Sequence, residues 1–229
     1  MAIKYAPRPV VAAPFGMSLG GGCEIPLHSA RIHAAAETYM GLVEVGVGLI
    51  PGGGGTKEMA IRANEHASSG DATDLIHALR PIFQNIATAR VSTSAEEARD
   101  MGFLRAADQL SMNRDRLVAD AKQTALAMVR AGYHAPAPAE IRVLGEEFLA
   151  VAKLGIHMLV RGEYASEYDA VVARKLAFIL AGGNITAPQT VSEQYMLDLE
   201  REAFVSLCGE RKTQERMAHT LKTGKPLRN

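Results

Sequence analysis

Two glutamates near the start of the chain stand in company where a charge is expensive. Glu24 follows Gly20-Gly21-Gly22 and Cys23; Glu44 lies 20 residues further on, among aliphatic residues that lead to Pro51 and Gly52-Gly53-Gly54-Gly55. A lone glutamate is most often a solvated surface residue. Apolar and glycine-rich neighbours weaken that reading, because burying a carboxylate is costly. Two carboxyl groups in a partly dry pocket, in environments that separate their roles, can take a proton from water and deliver another elsewhere. Glycines add a second capability, since their backbone approaches a ligand closely and can present N–H groups at a helix N-terminus.

Spacing excludes other chemistry. A P-loop needs Gly-Lys followed by Ser or Thr, whereas Gly55 is followed by Thr56-Lys57. A dinucleotide fingerprint begins at Gly46-Val47-Gly48, but Pro51 stands where its third glycine belongs. Gly16-Met17-Ser18-Leu19-Gly20 fits the nucleophile elbow and sits between a predicted strand and a predicted helix. An α/β-hydrolase, however, builds most of its sheet before that elbow, and only 15 residues precede Gly16. No histidine stands out in a motif downstream, so a serine hydrolase using Ser18 ranks last among the readings. His28, one turn after Glu24, reads as a packed or surface histidine.

Longer strings carry a resemblance. Arg8 to Glu24, RPVVAAPFGMSLGGGCE, resembles the crotonase (enoyl-CoA hydratase/isomerase) segment in which a strand runs into the helix of the oxyanion hole. Leu42 to Thr56, LVEVGVGLIPGGGGT, resembles the loop of that family's second catalytic glutamate, and SAEEARDMGFL from Ser94 is similar to a later helix-and-glycine segment. The match covers roughly residues 9–107 closely and the remainder loosely. It implies an α/β crotonase (ClpP-like) spiral fold, incomplete at its N-terminus, with a long helical C-terminal region. It also implies that Gly21 gives an oxyanion-hole N–H, that Gly20 and Gly22 shape the turn, and that Pro51 and Gly52 line the substrate pocket. Glu24 would assist attack by water and Glu44 would exchange the α-proton, the chemistry of a hydratase acting on trans-2-enoyl-CoA in fatty-acid β-oxidation. A Δ3-Δ2 isomerase of this family usually keeps only the second glutamate. The ending, SEQYMLDLEREAFVSLCGERKTQERMAHTLKTGKPLRN, resembles the hydratase portion of bacterial bifunctional 3-hydroxyacyl-CoA dehydrogenase/enoyl-CoA hydratase proteins. The loop that gives the family's other oxyanion N–H has no counterpart before Val10. The rival reading is therefore a non-catalytic fragment or oligomerisation module that needs its upstream half.

The elements that must position these residues follow from local signals. Val10-Val11-Ala12-Ala13 reads as a buried strand and Arg31-Ile32-His33-Ala34 as a second, with a short helix near Gly22–Ser29 between them. Thr56 is expected to cap a helix after the four glycines. Beyond about residue 94 the chain reads almost entirely as helix. Ser94 with Glu97 forms a capping-box pattern, Asn113 opens a stretch ending at Gly132, and Ser166 with Asp169 opens another. Ser192 opens a fourth, which Gly209 stops. Ala135-Pro136-Ala137-Pro138-Ala139 reads as a linker. The expected division is a partial crotonase core at 1–110 and a helical region at 111–229. Charge-rich Glu210-Arg211-Lys212 and the tail from Lys222 read as solvated surface.

Bulk properties agree. The 229 residues are 48% hydrophobic, and 25 basic residues balance 25 acidic ones, which gives no reason to expect a nucleic-acid partner. Two distant cysteines, Cys23 and Cys208, speak against a disulfide framework or a metal site and for a cytoplasmic setting. Pro14, Gly16 and Gly20-Gly21-Gly22 break the apolar run from Val10, so neither a signal peptide nor a membrane span is expected. The partners expected are an acyl-CoA substrate and either a second copy of the chain or an upstream half. No cofactor is expected besides the CoA of the substrate, and no NAD site.

Overall fold

The computed structural model describes residues 1–67 and 71–229. In chain order its strands are β1 (Val11–Ala12), β2 (Gly16–Leu19), β3 (Arg31–Ala35), β4 (Thr38–Gly41), β5 (Gln109–Ser111), β6 (Glu140–Val143) and β7 (Gln189–Ser192). Its α-helices are α1 (Gly21–Leu27), α2 (Gly55–His66), α3 (Ala72–Ala87), α4 (Ala95–Asp100), α5 (Leu117–Arg130), α6 (Glu146–Arg161), α7 (Glu167–Ala181), α8 (Glu193–Cys208) and α9 (Arg211–Thr223). These elements form two compact units that interleave in sequence: residues 1–42 with 91–138, and residues 43–90 with 139–229.

The first unit is a spiral of parallel strands. β1 pairs with β3, which pairs with β5, while β2 pairs with β4 in a separate two-stranded sheet. Val11 lies opposite Arg31 and Gly16 opposite Thr38, so one turn of the spiral takes about 20 residues. α1 is the crossover that parallel pairing requires. β3 is buried along most of its length, as its run of apolar residues requires. Polar groups fix the spiral at two points. Asp108 accepts the N–H of Ile32 at 2.8 Å and that of Arg105 at 2.7 Å. Ser111 donates to Asp120 at 2.6 Å and meets His33 Nε2 at 2.9 Å, joining β5, α5 and β3.

In the second unit α7 is central and buried along most of its length, from Tyr168 through Leu176 to Ala181, with Glu167 and Arg174 on its one exposed side. It packs against α6, α3, α8 and α2. Its start is a complete capping box: Ser166 Oγ accepts the Asp169 N–H at 3.1 Å, and the Asp169 carboxylate accepts the Ser166 N–H at 2.8 Å. The antiparallel pair β6–β7 runs from Glu140 opposite Ser192 to Val143 opposite Gln189.

Three expectations are corrected. The chain beyond residue 94 is not almost entirely helical, since β5, β6 and β7 lie there. Thr56 does not cap α2; the cap is Gly54, left-handed at φ 99°, and Thr56 lies buried inside the helix. At Ser94 the hydroxyl does accept the Glu97 N–H at 3.0 Å, but the Glu97 carboxylate turns to the N–H and hydroxyl of Thr93. The element over 72–87 has no counterpart among the sequence signals, because Pro81 inside it reads as a stop.

Candidate active site

Strand β2 delivers the chain into Gly20, whose φ of 55° and ψ of −127° are reserved for a residue without Cβ. Its N–H donates to the Gly41 carbonyl at 2.9 Å, which ties the turn to the end of β4. Its own carbonyl accepts the N–H groups of Cys23 at 2.7 Å and Glu24 at 3.0 Å. The amides of Gly21 and Gly22 open the helix, where no carbonyl lies one turn behind them. Both residues are exposed, and a Cβ on either would meet nothing within 4 Å. Backbone here is open to close approach by a ligand oxygen, in the field of a helix start. Glu24, the fourth residue of α1, is 9% exposed and brings a carboxylate into that first turn.

Pro26 lies inside α1, and a proline in that place cannot donate to the carbonyl four residues back, that of Gly22. Ser18 supplies the missing donor, its hydroxyl lying 2.7 Å from the Gly22 carbonyl. Ser18 is only 8% exposed, so this serine works as a prop for α1. Below it, His28 Nδ1–H donates to the Glu24 carbonyl at 2.8 Å, a packed histidine that secures the end of the helix.

Glu44 opens a 3-10 turn, Glu44–Val47, that ends at left-handed Gly48 (φ 79°). The turn closes on itself: the N–H of Gly46 donates to Val43, that of Gly48 to Val45, and that of Leu49 to Glu44. Glu44 is half-buried, with its Oε2 shielded from solvent. From α9, fully buried Thr213 donates to the Gly48 carbonyl at 2.7 Å, and the Tyr168 hydroxyl donates to Thr213 at 2.7 Å. Arg216, 1% exposed, bonds Asp169 at 2.6 Å and reaches the Val45 carbonyl at 3.5 Å. Burial alone would raise the Asp169 carboxyl, but the Ser166 N–H and the Arg216 guanidinium outweigh it and hold it below the usual carboxylate range.

The four-glycine turn leads into α2, and its helix start is already filled from within. Glu200, fully buried on α8, accepts the N–H groups of Gly54 and Lys57. A carboxylate at a helix N-terminus satisfies orphan donors and the dipole together. Lys57, also fully buried, pairs with Glu58 and, at 2.9 Å, with Glu193. Pro51 is buried and Gly52 exposed at the turn's near end. A Cβ on Gly52 would lie 2.6 Å from the Phe204 ring.

The sites expected from sequence thus fall into two sets. Gly20, Gly21, Gly22 and Glu24 are together on one helix start in the first unit, and Glu44, Pro51 and Gly52 on one stretch of the second. Sequence reasoning missed Ser18 as a prop, although Pro26 four residues after Gly22 signals a carbonyl in need of a donor. It also missed Glu200, Thr213 and Arg216, whose partners in the glycine turn and the Glu44 turn lie more than 140 residues away, where no local pattern points to them. Among the described residues no group of three His, Cys, Asp or Glu is placed to hold a metal ion, and no helix is long and apolar enough to cross a membrane.

No family model matches the chain. Over all 229 residues it is 51% identical to the Bacillus subtilis (strain 168) protein named "Probable 3-hydroxyacyl-CoA dehydrogenase", and it spans 28% of that protein's length. A second protein of the same organism, named "Probable enoyl-CoA hydratase", is 32% identical over 102 residues, 44% of this chain and 34% of that one. The crystal structure of enoyl-CoA hydratase/isomerase from Pseudoalteromonas atlantica T6c shares the fold with a TM-score of 0.55, over 100% of this chain and 67% of that one, at 17% identity. Similarity to the Bacillus protein thus runs along the whole sequence, and the likeness to the solved hydratase structure gives the chain the crotonase fold.

Proposed function

We propose that the chain carries an enoyl-CoA hydratase site. The observation that supports this most is the start of α1, where exposed glycine amides and the buried Glu24 carboxylate occupy one helix turn. In the reading we favour, the Gly21 N–H donates to the thioester oxygen as negative charge develops there, with Gly20 and Gly22 keeping that approach clear. Glu24 helps the attack of water on C3 of the trans-2-enoyl thioester. Glu44 exchanges the proton at C2, so the elements of water add across the double bond. Pro51 and Gly52 line the substrate pocket. The reaction calls on no metal and no redox cofactor. The hydroxyl of Ser18 donates to a backbone carbonyl, which disfavours a hydrolase.

The names borne by relatives, among them the Rickettsia "fatty acid oxidation complex trifunctional enzyme" proteins, suggest a place in fatty-acid oxidation beside a dehydrogenase portion. A second reading treats the chain as a part without turnover of its own. It is favoured by the 28% share of the Bacillus relative that the chain spans. Hydration of crotonyl-CoA by the purified chain decides between them. On the hydratase reading, Glu24→Gln and Glu44→Gln each lower kcat by about 10²–10⁴. A folded chain without measurable hydration would leave the second reading standing.

A further inference from the structure

The 3-10 turn of Glu44 makes its own three backbone bonds, yet α9 commits two buried polar side chains to it. Thr213 and Arg216 stand three residues apart and therefore on one helix face. Neither is free to rotate. Tyr168 donates to Thr213, while Asp169, Ser166 Oγ (3.2 Å) and Asn229 (2.8 Å) fix the guanidinium. The Tyr168 ring lies 5.0 Å from that guanidinium as well. The approach is close enough that a Cβ on Gly48 would lie 2.7 Å from Thr213 Oγ1.

An apolar face would cover the turn at less cost, since a buried arginine must be fully paired to be tolerated. What the polar face adds is direction: it grips carbonyls, one directly after Glu44 and one at the turn's end. We infer that Thr213 and Arg216 are positioning residues for Glu44, holding the Gly48 and Val45 carbonyls and so fixing where the carboxylate points. The role of Glu44 rests on the hydratase reading; the grip of α9 on the turn does not.

Thr213→Val, which keeps the shape and removes the donor, is compared with Thr213→Ser, which restores it, in the full chain. Amide hydrogen exchange and crotonyl-CoA hydration are both measured. In the valine variant, exchange at Gly46, Gly48 and Leu49 speeds roughly tenfold while α7 amides stay within about twofold. Its kcat falls about ten- to a hundredfold, with KM changed by no more than about twofold. Serine restores both. Arg216→Lys serves as the second variant if valine prevents folding, with the same expected pattern. A folded variant with wild-type exchange in the turn overturns the inference, as does a kcat loss that tracks α7 exchange. If the wild-type chain folds but does not hydrate crotonyl-CoA, the hydratase reading fails instead, and the exchange comparison alone decides whether α9 holds the turn.

Discussion

Ser18 and Gly52 each stand in a motif whose chemistry and whose packing make different demands. The Ser18 hydroxyl replaces the amide that Pro26 lacks, so Ser18→Ala should strand the Gly22 carbonyl and cost about 1–3 kcal/mol. Urea unfolding with an unchanged m-value would report that loss; a change below about 0.5 kcal/mol would mean that water takes over the role. Gly52 is not strained, yet a methyl there meets the Phe204 ring at 2.6 Å. Gly52→Ala should therefore destabilise by about 1–3 kcal/mol through overpacking alone. Adding Phe204→Leu should recover most of it, and a double-mutant cycle showing no coupling would refute that explanation.

At the scale of elements, helix starts carry much of the polar organisation. α7 begins with a side-chain box whose Asp169 also receives Arg216 from α9. Because the Asp169 pKa is depressed on folding, its contribution is fully present above the unfolded value of about 3.9 and is lost as pH falls through the folded value. The stability gap between wild type and Asp169→Asn should thus be constant near neutrality and close on strong acidification. Chemical unfolding as a function of pH tests this, and a gap that widens below pH 4 would contradict it. Local signals are what made α1, β1 and α7 legible in the sequence: a glycine turn, the β-branched pair Val10-Val11, and Ser166 followed three residues on by Asp169. α9 left no signal of its own because its buried face is polar, Thr213 and Arg216, which no hydrophobic periodicity reveals, while Glu210-Arg211-Lys212, expected at the surface, is exposed. β6 and β7 are short strands paired across more than 40 residues, and their sequences carry no turn to announce the pairing.

For the molecule as a whole, the crotonase fold with its spiral was legible because stretches that resemble that family's motifs lie near β2, α1 and the Glu44 turn. The interleaving of two units was not, since it depends on which distant segments pack together. The Thr213–Gly48 bond spans 165 residues. At ordinary rates of translation, 5–20 residues per second, α9 leaves the ribosome roughly 10–30 s after the turn it grips. During that interval the turn has its own three backbone bonds without the two that α9 adds. A nascent chain paused before residue 211 would carry both glutamates, with one of them not yet aimed.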